Sequence, residues 1–205
     1  MKVVQKSSDG NNVAIIATGG VFALSGAAAL IYQVAWQRML FTVFGVDLQS
    51  VTVIVTVFML GLGVGGLVGG WLADRLRSIC FRLFLLGEAL IGFFGVLSPK
   101  FIGSLFYVYD PFFIFIESFL LLLFPTVLMG ATLPLLSVSL VDRGLIVGDA
   151  VGKLYSFNTL GAALGCLLSG FILFSFLGLK MVIYFAALLN GMSVALGLMF
   201  VGVRK

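Results

Sequence analysis

Six charge-poor runs follow one another along this chain, at about 13–37, 50–73, 80–98, 111–139, 150–176 and 181–203. A helix needs about 20 apolar residues to cross roughly 30 Å of hydrocarbon. Within that layer the backbone must satisfy its own hydrogen bonds, which leaves helices or closed barrels. Runs of this length specify an all-α integral membrane protein with six transmembrane helices. Composition agrees: 61% of residues are apolar and only 10% charged, against roughly 25% charged in soluble domains. Residues 1–12 read as an N-terminal tail and 13–203 as one transmembrane domain. The fourth run is long and holds Pro125 and Pro134, which tilt or kink a helix without dividing it. Lys2 and Lys6 ahead of the first run are similar to the start of a secretory signal. A signal's apolar core is about 7–15 residues, however, and Val13 to Ile31 is nearly uninterrupted.

Basic residues set the orientation. With the N-terminus inside, Lys2, Lys6, Arg75, Arg77, Arg82, Arg143, Lys153, Arg204 and Lys205 are cytoplasmic, and only Arg38, Lys100 and Lys180 lie outside. Both termini are then cytoplasmic. The net charge of +4 becomes a topology signal, with anionic headgroups of the lipid bilayer as counter-ions. Nothing in it points to nucleic acid.

The stretch "VFMLGLGVGGLVGGWLADR" (57–75) holds six glycines between Gly61 and Gly70. Gly61, Gly65 and Gly69 fall at i, i+4 and i+8 and form a flat stripe on which a neighbouring helix packs backbone to backbone. A shift of one hundred residues sets this stripe on Gly161, Gly165 and Ser169 in the fifth run. Fainter matches join Gly26-Ala27 to Gly130-Ala131 and Leu90-x-Gly92 to Leu189-x-Gly191. Helices one to three (about 13–98) thus read as repeated in helices four to six (about 111–203). Three is odd, so the second copy inserts upside down, giving the 3+3 inverted repeat found inside each half of a major-facilitator transporter. Gly61-x-Gly63-x-x-Gly66 also matches a dinucleotide fingerprint, but that motif needs a preceding strand and a polar mouth.

The end of the stretch, Gly70, Asp74 and Arg75, resembles the cytoplasmic loop between helices two and three of major-facilitator proteins. Asp74 and Arg75 serve either as a charge pair that anchors topology or as a conformational latch. A wider resemblance covers nearly the whole chain. "LSGAAALIYQVAWQRML" (24–40), the glycine stretch, "PTVLMGATLPLLS" (125–137) and "GKLYSFNTLGAALGCLLSGFIL" (152–173) together resemble the membrane region of the spermidine synthase-like proteins. In those bacterial polypeptides a major-facilitator-like bundle is often fused to an aminopropyltransferase-type domain. The resemblance implies a bacterial inner-membrane protein. These 205 residues include no Rossmann-type domain and no acidic nucleotide-binding loop, so it implies the membrane fold and not the enzyme.

Other chemistry lacks parts. The chain has no histidine, and Cys80 and Cys166 lie on different helices without metal-ligand spacing. We therefore expect no catalytic constellation, no metal, no cofactor and no disulfide.

Polar residues at membrane depth remain. Counted from the cytoplasmic helix ends, Glu88, Thr132 and Asn158 each lie about 12 Å in and are placed to form one polar belt. A lipid-facing carboxyl at that depth is costly, so Glu88 faces the bundle interior, either as an interhelical hydrogen bond or as a ligand or proton site. Tyr32, Gln33, Trp36 and Arg38 close helix one near the outer surface, with Glu117 on helix four at similar depth. They read as interfacial anchors, or as an outward-facing ligand site with Arg38 paired to Glu117. Two functions follow. One is a non-catalytic membrane module that anchors or assists a partner, such as a polyamine-related synthase on a separate chain. The other is a half-size transporter working as a homodimer on a small solute, cations included.

Overall fold

The computed structural model describes the backbone of residues 2–107 and 110–202, and the side chains within 15–199 apart from those of 47, 108, 109 and 111. Among the described residues the chain is helical throughout, without strands, and six helices are long and apolar enough to cross a membrane. They are α1 (Lys2–Phe44), α2 (Asp47–Arg75), α3 (Cys80–Ser104), α4 (Pro111–Val141), α5 (Val147–Phe176) and α6 (Leu179–Gly202). Helix α1 is already helical from Lys2 and runs past Arg38 to Phe44, so the expected tail belongs to the helix and Arg38 does not terminate it. Helix α3 likewise continues through Pro99 to Ser104.

The connections are short and follow local chemistry. Gly45 (φ 69°) turns the chain between α1 and α2, and Gly144 (φ 91°) does so between α4 and α5; both lie in the left-handed region that a Cβ disfavours. Asp110 caps α4 by accepting from the Phe112 amide at 2.8 Å, with Pro111 in the first turn. Pro125 and Pro134 leave α4 undivided. In α5 a π-helical turn covers Ser169–Leu173, where one extra residue per turn re-aims the helix end.

Packing follows the glycines. The α2 stripe lies on α4: a Cβ at Gly65 would sit 2.9 Å from the Gly130 Cα, and one at Gly69 2.6 Å from the Ala131 Cα. The α5 stripe lies on α1 in the same manner, with Gly161 against Ala23 and Gly165 against Ala27. Backbones this close gain dispersion contacts that larger side chains would prevent. Helix α6 packs against α1 and α3, and α3 also against α4. Two apolar clusters result. One centres on Trp36, Tyr32, Phe58 and Ile102, the other on Phe22, Phe84, Leu136 and Leu140.

Candidate functional site

Two sites emerge where one belt was expected. The first is a polar stripe on α3. Glu88, Gly92, Gly95 and Ser98 recur at helical spacing on one face, and all four are buried. The Glu88 carboxyl is fully buried. Its Oε1 accepts from Ser25 Oγ of α1 at 2.6 Å and its Oε2 from Asn190 Nδ2 of α6 at 2.8 Å. Among the described residues no lysine or arginine pairs with it. Gly92 admits Asn190, whose Cβ would be 3.2 Å from a Cβ added there, and Gly95 admits the phenol of Tyr32. One turn further, Trp36 Nε1 donates to Ser98 Oγ at 2.8 Å, and Ser98 donates to the Gly95 carbonyl. Ser193 of α6 adds a bond to the Val21 carbonyl of α1 at 3.2 Å. The stripe thus fastens α1, α3 and α6 together through hydrogen bonds in an apolar setting. Two buried polar atoms in it, the Tyr32 hydroxyl and Asn190 Oδ1, have no protein partner.

The second site is a cavity of about 630 Å³ among α1, α2, α4 and α5. Thr132 and Asn158 line it, as does Ser25, but Glu88 does not. The three depth-matched residues therefore divide between two sites. Equal depth places side chains at one level and does not say on which side of a helix they stand. The cavity runs from Met129 at mid-helix to Val138 and Val147 beside the α4–α5 loop, about 14 Å along α4.

The outer group is rearranged. Tyr32 is fully buried and stacks on Trp36 with ring centroids 4.9 Å apart, while Gln33 is half-buried. Arg38 lies over the Phe174 ring at 4.0 Å, a cation–π contact. Glu117 is exposed on α4, and no ion pair joins it to Arg38. At the opposite end, Asp74 pairs not with Arg75 but with Arg77 at 3.8 Å, and Arg77 reaches Asp142 at 3.5 Å. Arg75 instead covers the Trp71 ring at 4.1 Å. Arg77 links the α2–α3 and α4–α5 connections, although exposed pairs of this kind contribute at most about 1 kcal/mol. A Cβ at Gly70 would meet nothing within 4 Å, so this glycine takes no part in the α2 packing stripe.

Ser25, Asn190 and Arg77 are the partners that sequence reasoning missed. Asn190, a carboxamide within an apolar run, was the visible signal. Compared with protein-family profiles, curated proteins and solved structures, the chain matches none.

Proposed function

We propose that the chain is a non-catalytic polytopic membrane module that anchors or assists a partner protein. The observation that carries this reading is the use made of Glu88. The one acid buried among the described residues is engaged by Ser25 and Asn190, holds three helices together and stands outside the cavity. That is the geometry of a packing device rather than of a substrate or coupling site.

The 3+3 inverted repeat is part of the proposal. Exchanging α1–α3 with α4–α6 turns the α2–α4 contact into α5–α1 and the α3–α4 contact into α6–α1, and both members of each pair are present. Gly130-Ala131 faces the first glycine stripe as Gly26-Ala27 faces the second, which supports the same symmetry. A major-facilitator-like half of the spermidine synthase-like kind, in a bacterial inner membrane with both termini cytoplasmic, fits this pattern. A polyamine-related synthase is then the partner class to seek. Crosslinking in native membrane, purification and mass spectrometry should recover one stoichiometric partner. Recovery of the chain alone, or only of copies of itself, would defeat this reading.

The cavity favours a second reading, a half-size transporter completed by a second copy, since it reaches mid-helix and a lone half supplies one wall. It argues against cationic solutes: among the described residues no carboxylate lines it, and a polyamine would lie there without a counter-charge from them.

A further inference from the structure

We propose that the cavity among α1, α2, α4 and α5 binds an uncharged, mainly apolar molecule of the bilayer that carries a hydroxyl or amide head. Its volume, about 630 Å³, falls within the roughly 300–1,000 Å³ of small-molecule sites. Among the described residues no aspartate, glutamate, lysine or arginine lines it. A charged head of either sign would lose its hydration there without compensation.

The polar groups on the wall narrow the head further. Ser25 donates its proton to Glu88, Thr132 to the Met129 carbonyl at 2.6 Å and Ser137 to the Leu133 carbonyl at 2.8 Å. Their protons are committed to the protein while lone pairs remain, so these hydroxyls act toward a ligand as acceptors. Asn158 adds a carboxamide that bonds to none of the described side chains or backbone groups. A head that donates one hydrogen bond and accepts one is matched by this wall. A head with acceptors alone finds only the Asn158 amide and the phenol of Tyr155.

The rim indicates the source. Val147 and Val151, which line the cavity, are 60% and 38% exposed, and Leu67 and Val68 beside Gly66 are exposed as well. The exposed side chains at this rim are apolar, which favours a molecule that partitions into the bilayer over one dissolved in water.

The test uses the full chain in lipid nanodiscs. Three diazirine probes share one long alkyl chain and end in an alcohol, a trimethylammonium or a carboxylate, and crosslinks are mapped by mass spectrometry. The alcohol should label Leu62, Met129 and Val151, be displaced by unlabelled alcohol, and exceed both charged probes. Asn158→Leu should cut cavity labelling about fivefold, the worth of one hydrogen bond, with labelling of the exposed Phe93 and Phe124 unchanged. Val151→Trp at the exposed rim should block entry without disturbing the packed helices. Charged probes that label the cavity as strongly as the alcohol would overturn the proposal. So would labelling confined to Phe93, Phe124 and other outer positions. The assay reads neither partner nor transport, so its failure leaves the module reading standing, and the converse holds.

Discussion

Asn190 Nδ2 on α6 lies 2.8 Å from Glu88 Oε2 on α3, across 102 residues of chain. The amide has its other atom, Oδ1, unpartnered, so a half-turn of the carboxamide would present an acceptor to Glu88 in place of a donor. The pair is therefore tolerant of what position 88 carries, provided that it carries a hydrogen-bonding head.

Glu88→Gln should accordingly change stability by less than about 1 kcal/mol, because a glutamine accepts from Ser25 and donates to the rotated Asn190. Glu88→Leu leaves the Ser25 hydroxyl and the Asn190 amide buried and unpaired, which should cost about 1–3 kcal/mol for each. Thermal unfolding in one detergent compares the two. Equal loss in both variants would show that the charge, and not the hydrogen bonding, matters.

Glycine positions should divide sharply. Leucine at Gly65 or Gly165 meets the backbone of the facing helix and should lower the melting temperature strongly, by more than the roughly 1–3 kcal/mol of ordinary overpacking. Leucine at Gly63 or Gly191, where an added Cβ meets nothing within 4 Å, should be mild. Similar melting temperatures across all four would mean that the stripes do not pack.

Tyr32→Phe removes a fully buried hydroxyl that has no protein partner. The melting temperature should hold or rise, since an unmade hydrogen bond costs about 1–3 kcal/mol. A fall of several degrees would instead show that the hydroxyl makes a hydrogen bond the bundle depends on.

Topology is open to direct measurement. Reporter fusions at Ser8 and at the C-terminus should read cytoplasmic and one at Leu48 external, as the basic residues require. An external C-terminus would remove the inverted repeat along with the orientation.

The spans were legible because hydrocarbon thickness imposes a length, and the stripes because close helices impose a period. Gly65 lies against the backbone of α4 and Gly165 against that of α1. The polar partners were not legible. Glu88 meets Ser25 and Asn190 from 63 and 102 residues away, and which helices meet depends on the whole bundle. Depth counting put Glu88 level with Asn158, yet rotation about the helix axis decides neighbours. Tyr32 looked like a residue of the membrane interface because α1 was expected to end near it, whereas α1 runs on to Phe44. That extension draws the aromatic group inside.

The cross-pairing of α2 with α4 and of α1 with α5 constrains how the protein is made. When the ribosome has delivered α1 to α3, the α2 glycine stripe and the Ala23–Ala27 face of α1 are in the bilayer and neither has met its match. Until then the first three helices hold together through the Ser25–Glu88 and Trp36–Ser98 bonds between α1 and α3, with both close crossings waiting for partners still being synthesised. A nascent chain stalled after α3 should consequently be recognised and degraded by membrane proteases, while completion of α5 locks both crossings.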